Sequence, residues 1–281
     1  MLFCLVNTSC DLFECDFILD KKMAIPIDIE NAIKRFKELK DDEKAKIITD
    51  VLNKLSDEKS LKNILKRHLK NSININIDIK EVIGENGKRA NAKADIIDNK
   101  KVIFIDTERA VAFYSTLLKI NKRVDLNEDE ILAISYYIHE YIHHLQKELW
   151  KIDVNDRNGQ IAYAMLETLT EVSTRKLTIT FLTNIYGNEK KSYFEDIFNR
   201  RGGYKDTANR FDSFFKSLDR KTIPNERKDI FNEIVKMLQV INDLNKNPNE
   251  IVERLLDIVN ENKKQKDKLT GKHIENILLG K

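Results

Sequence analysis

After its fifteenth residue the chain has no cysteine: Cys4, Cys10 and Cys15 are the only three in 281 residues. A disulfide framework for the body of the protein is thereby excluded, which suits a reducing compartment. The spacing of those three fits no usual zinc pattern. Glycine and proline are scarce, 8 and 3 in all. Sandwiches of β-strands and glycine-rich dinucleotide folds need more turn residues, so the composition favours a mostly helical chain. No apolar run approaches the ~20 residues that span a bilayer as helix. The opening residues do not read as a secretory leader either. No Lys or Arg precedes Lys21, and Asp11, Glu14 and Asp16 interrupt the apolar positions. We expect a soluble, cytoplasmic protein with no membrane partner. An excess of one charge sign is also missing. With 49 basic and 46 acidic residues the net charge is +3, which leaves no global field to draw in nucleic acid.

What remains is a chain with 41% hydrophobic and 34% charged residues, apolar enough to fold and too charged for a membrane. Its length suits one large domain, or one domain with a helical extension. Residues 1–22 look foreign to the rest of the chain, and Met23 opens an ordinary polar helical sequence. We expect translation to begin at Met23, with residues 1–22 a disordered or mis-assigned tail.

From Ile27 to about Asn71 apolar residues recur at three and four, which predicts three helices, with Ser60 capping the third. Lys62, Lys66, Arg67 and Lys70 form a basic face that reads as solvated surface. The period then changes. Ile73, Ile75, Ile77 and Ile79 alternate with polar residues, as in a half-buried strand. Ala94–Ile97, a turn at Asp98-Asn99-Lys100 and Lys101–Ile105 read as a hairpin, so a sheet of about three strands lies mid-chain. Helix resumes from Glu108 to about Ile120. Asn127 with Glu130 three residues on predicts a capping box opening a helix to about Trp150. After a loop at Asn155–Gly159, a second long helix runs from Gln160 to about Tyr186 and stops at Gly187. Further helical stretches come at about 193–199, 207–218, 226–244 and 251–260, then a basic tail from Lys263.

The chemistry concentrates in the helix after Glu130, which reads His139-Glu140-Tyr141-Ile142-His143-His144. This is H-E-x-x-H. Four residues turn a helix by about 400°, so His139 and His143 project about 40° apart, one turn above the other. Two imidazoles placed so can share one zinc, with Glu140 beside them to hold a metal-bound water. Ile131, Ile134, Ile138, Ile142, Leu145 and Leu149 supply the apolar face such a helix needs. His144 points about 100° away from His143 and reads as a surface or core-lining residue. His68 and His273 stand in basic contexts with no partner at ligand spacing. Surface histidines on an amphipathic helix are the alternative reading of the motif.

A catalytic zinc wants three protein ligands and one open position. The metzincin extension is excluded, because Gln146 and Leu149 stand where its glycine and third histidine would be. The next helix carries Glu167 and Glu171, four apart and so on one face, in a stripe continued by Thr174 and Thr178. Ile161, Met165, Leu169, Val172 and Phe181 around them read as core, and acids facing inward on so apolar a helix need a cation. An exposed acidic stripe is the alternative.

His139-Glu140-x-x-His143 with Glu167 downstream and an acid four residues later resembles the gluzincin, thermolysin-like branch of the zincin metallopeptidases. The likeness covers about residues 127–186. It departs from the family's usual run at Leu166, at Thr168 and at Glu171, where the thermolysin-like members have Asn, a small residue and Asp. The resemblance implies Glu167 as third zinc ligand and Glu171 as the hydrogen-bond partner that orients His139. It implies an oxyanion-stabilising side chain as well, for which Tyr204 or Tyr163 are the candidates. It further implies a small sheet before the active-site helix, whose edge strand takes an extended substrate; the hairpin ending at Ile105 would serve.

The expected fold is thus α+β and mostly helical, zincin-like, with a small mixed sheet of about three strands packed on the active-site helix. Residues 23–187 would form the catalytic part and 188–281 a helical C-terminal subdomain. The expected function is zinc-dependent hydrolysis of a peptide or protein substrate, with Zn2+ on His139, His143 and Glu167 and Glu140 as base. A zincin-like scaffold serving as a non-catalytic binding or regulatory module is the second reading.

Overall fold

The computed structural model describes residues 29–56, 59–69, 74–84, 87–145, 157–202 and 206–210, with isolated positions between 213 and 276. The expected tail over 1–22 with its cysteines, Ile73, Leu149, Trp150, Tyr204, the stretch 226–244 and most of the basic end lie outside the described residues, as do the side chains of His68, Ile161 and Met165. Two compact units divide the chain, Met1–Leu39 and Lys40–Lys281. The described element of the first is helix α1 (Ile29–Glu38).

The second unit is mostly helical with one small sheet. It opens with α2 (Asp41–Lys54) and α3 (Leu61–Leu69). The Ser60 hydroxyl accepts a hydrogen bond from the Asn63 N–H at 3.3 Å, the expected cap. Lys62, Lys66 and Arg67 are exposed, so the basic face is solvated. Strands β1 (Asn76–Lys80), β2 (Ala92–Ile97) and β3 (Lys100–Asp106) pair in the order β1-β3-β2. β1 is parallel to β3, with Ile77 opposite Ile103, and β2 is antiparallel to it, with Ala94 opposite Ile103.

Of the hairpin's two strands, β3 is central and β2 is the edge. The sequence of β3 carries the reason. Val102, Ile103, Phe104 and Ile105 are all buried, a continuous apolar run suited to a strand flanked on both sides and covered on both faces. β1 alternates because only one of its faces is covered: Ile79 is buried while Asp78 and Lys80 are exposed. The hairpin turn is two residues, not three. Asp98 and Asn99 sit at φ 50° and 61°, and Lys100 already pairs with Ile97.

Helix α4 (Thr107–Lys122) is capped by Asp106, whose carboxylate accepts from the Glu108 N–H, the Val82 N–H and Arg89 Nε. Helix α5 (Glu128–His143) opens on the expected capping box. Asn127 Oδ1 accepts from the Glu130 N–H at 2.9 Å, and Glu130 Oε2 accepts from the Asn127 N–H at 2.8 Å. Helix α6 (Arg157–Tyr186) begins three residues earlier than expected, so Arg157–Gly159 belong to helix, not loop. It ends at Gly187, whose φ of 95° is left-handed backbone that glycine adopts without a Cβ penalty. After a 3₁₀ turn at Asn188–Lys190 comes α7 (Lys191–Arg201).

α5 is the centre of the unit. It packs on β2 and β3 with one face and on α4 and α6 with others, while α3 and α7 lie against α6. Ile131, Ile134 and Ile138 are fully buried and Ile142 and Leu145 nearly so, as the periodicity predicts. Arg200 and Arg201 at the end of α7 pair with Glu128 and Asp129 at the start of α5, at 2.8 to 3.0 Å. Basic residues at a helix C-terminus meeting acidic ones at an N-terminus suit both helix dipoles. Among the described residues, no helix is long and apolar enough to cross a membrane.

Candidate metal centre

His139 and His143 stand one turn apart on α5, their rings edge to face with centroids 4.6 Å apart. Glu167 reaches them from α6. Its Oε2 lies 3.0 Å from His139 Nε2 and its Oε1 lies 3.2 Å from His143 Nε2. The three side chains are only 4–11% exposed. The carboxylate thus bridges the same nitrogen of both imidazoles. Glu171, one turn further along α6, approaches the other nitrogen of His139, with Oε2 3.3 Å from Nδ1. Its Oε1 accepts from Arg175 Nε at 2.9 Å. Both acids are buried, together with Leu169, Val172, Thr174, Thr178 and Phe181 around them, so the exposed-stripe alternative does not describe this helix.

Glu140 faces the sheet. Its Oε2 accepts a hydrogen bond from the Ala94 N–H at 2.7 Å. Ala94 is on the edge strand β2, and this N–H points away from the β3 ladder, so the edge of the sheet and the H-E-x-x-H helix meet at this residue. His144 goes the other way. It is 1% exposed, and its Nε2 lies 2.8 Å from the Val102 carbonyl of β3. A carbonyl only accepts, so His144 Nε2 carries the proton. Lys101 Nζ donates to the His144 carbonyl. α5 ends at His143, and the expected run on to Trp150 falls on residues outside the described ones. The last turn tightens, with the Leu145 N–H bonding back to Ile142 O, and β3 supplies the lysine that takes an end carbonyl. Of the distal histidines, His273 Nδ1 is engaged locally, 2.8 Å from Thr270 Oγ1.

Crowding sets the electrostatics. Burial alone would lower the His139 imidazole, but its hydrogen bonds to Glu167 and Glu171 raise it well above the usual histidine value. For His143 burial is likewise outweighed by the charge of Glu167, and its value rises. Burial would raise Glu167, yet the His143 charge and the bonds from both imidazoles hold it far below the ordinary carboxylate range. His144 is the opposite case: burial lowers it to about 4, against the Val102 bond and helped by the Lys101 charge.

The donor set fits a divalent cation. One ligand atom from each of His139, His143 and Glu167 lies within 4.8 Å of the others. Two imidazoles and one carboxylate suit zinc and other first-row divalent ions. With neutral imidazoles, the carboxylates of Glu140, Glu167 and Glu171 gather here, and Arg175 pairs with Glu171. A divalent ion would offset carboxylate charge at this point. Glu171 accepting from His139 Nδ1–H leaves the Nε2 lone pair available to it.

The residues His139, Glu140, His143, Glu167 and Glu171 expected from the sequence are thus brought together, while Tyr204 lies outside the described residues and Tyr163 is half-buried on α6. Two participants were not anticipated. Arg175 lies four residues after Glu171, a helical acid–base spacing that could have flagged it. The Ala94 N–H has no side-chain signal at all. No family model, no curated protein and no solved structure matches the chain.

Proposed function

We propose that this chain is a zinc-dependent peptidase with a gluzincin-like centre, in which His139, His143 and Glu167 hold the metal. The reading rests above all on one juxtaposition: three convergent buried donors with Glu140 beside them, hydrogen-bonded to an edge strand. Bound there, zinc would supply Lewis acidity to a scissile carbonyl and to a water. Glu140 takes the proton from that water as its oxygen bonds to the carbonyl carbon. It then delivers the proton to the amide nitrogen as the C–N bond breaks. Glu171 keeps His139 in orientation. β2 offers its outer edge to an extended peptide, which pairs by main-chain hydrogen bonds beside Glu140.

The test is metal analysis of the purified chain together with digestion of a broad peptide library by wild type and Glu140→Gln. One zinc per chain is expected in both. Cleavage by the wild type should fall by about 10³-fold or more in the variant. Equal turnover by the two would sink the mechanism. Zinc in both with turnover in neither would favour the non-catalytic scaffold.

A further inference from the structure

Behind the metal centre lies a second buried polar cluster. Arg175 on α6 is 6% exposed. Its Nε donates to Glu171 Oε1 at 2.9 Å and its Nη1 donates to Asn209 Oδ1 at 2.7 Å. Gly202, just past α7, leaves the room for it: a Cβ there would lie 2.6 Å from Arg175 Nη2. Asn209 in turn donates through Nδ2 to the Asn199 carbonyl at 3.2 Å, so its amide cannot swing freely. The guanidinium is therefore held from three sides, by α6, by the glycine after α7 and by the 206–210 segment.

We propose that Arg175 is a positioning residue of the metal centre, fixing the Glu171 carboxylate so that its other oxygen holds His139 with Nε2 facing Glu167 and His143. This rests on the reading of His139, His143 and Glu167 as metal ligands. A carboxylate on a helix has several rotamers within reach of solvent or backbone. Engaging Oε1 by a planar, anchored donor selects the one in which Oε2 meets His139 Nδ1, 3.3 Å away. Lysine keeps the charge but has no fork to bridge Glu171 and Asn209 together. The consequence is a chain of contacts from α7 and the 206–210 segment to a metal ligand, through which the C-terminal elements set ligand geometry without touching the ion.

The experiment uses the full chain and four variants: Arg175→Met, Arg175→Lys, Asn209→Ala and Gly202→Ala. Zinc affinity is measured by competition with a chromogenic chelator, ligand geometry by the visible spectrum of the cobalt(II)-loaded protein, and fold by thermal unfolding of the metal-free form. Arg175→Met should weaken zinc about 10- to 100-fold and alter the cobalt bands, with Arg175→Lys recovering part of the loss. Asn209→Ala and Gly202→Ala should weaken zinc in the same direction by less. If Arg175→Met folds and binds zinc within about twofold of wild type with an unchanged cobalt spectrum, the proposal is overturned while the metal centre stands. If Arg175→Met does not fold, wild-type affinity in both Asn209→Ala and Gly202→Ala overturns it instead. A wild type that binds neither metal removes the centre itself, and the arginine's role with it.

Discussion

Two glutamates at opposite ends of α5 are about equally buried and do opposite things. Glu130, at the start, is 4% exposed; Glu167, which meets the other end from α6, is 5% exposed. Glu130 is enclosed by donors whose protons stay put: the Ser115 hydroxyl, the Lys119 ammonium at 2.8 Å and the Asn127 N–H. It closes the capping box and ties α4 to α5. Glu167 is enclosed by two imidazoles, whose protons can leave and whose nitrogens can then serve as ligands in the proposed centre. Burial of a carboxylate therefore does not mark a site. The marker is whether its partners can exchange a proton for a metal.

Removing each carboxylate should separate the two roles most sharply. Glu167→Ala should lose zinc in a metal titration, and any peptidase activity with it, whereas Glu130→Ala should bind zinc like the wild type. Glu130→Ala should instead lower the unfolding free energy by about 2–3 kcal/mol in denaturant titration, since it strips a partly buried lysine of its partner. Loss of zinc from Glu130→Ala would collapse the comparison.

The Glu171 side of the centre should respond less. Glu171→Ala removes an orienting bond and no donor atom, so zinc affinity should fall roughly 10- to 100-fold. If a chelator competition ranks it above Glu167→Ala, the two acids have exchanged roles.

In the proposed centre, protons and metal compete for the same nitrogens, and this gives it a pH signature. With folded-state values raised, His139 and His143 stabilise the metal-free protein fully below about pH 6.5, and that contribution fades as pH rises through the raised values. Zinc displaces those protons, so its stabilisation should grow over the same window. Thermal unfolding with and without excess zinc, from roughly pH 6 to 9, should show the difference between the two widening. A constant difference would detach the metal from these imidazoles.

The smallest effect is expected next door. His143→Ala should abolish zinc binding, while His144→Ala should keep it and cost only about 1–3 kcal/mol of stability, the penalty for stranding the Val102 carbonyl. Zinc loss in His144→Ala would overturn the division between the two adjacent histidines.

Much of this was legible in the sequence, for local reasons. The Asn127/Glu130 capping box, the one-turn spacing of His139 and His143, the divergence of His144 and the shared face of Glu167 and Glu171 all come from helix geometry within a few residues. The alternation of β1 was legible because one covered face imposes a period of two. The centre-strand role of β3 was hidden, since pairing is decided by partners far along the chain. The Asn155–Gly159 stretch read as loop by composition, yet its last three residues joined α6, since weak helix propensity is a poor guide at the end of a long helix.

By itself, then, the sequence determined which side chains share a helix face, because backbone hydrogen bonds four residues apart set that phase with no outside help. Only the tertiary structure decided which faces meet. Packing α5 against α6 set Glu167 across the same nitrogen of two imidazoles and Glu171 at the other nitrogen of one. The contacts of His144 with Val102 and Lys101 of β3, and the hold on Glu140 by the Ala94 N–H, came from the sheet. Those contacts join residues tens of positions apart. Their distances depend on how buried surfaces interlock, which no local periodicity encodes.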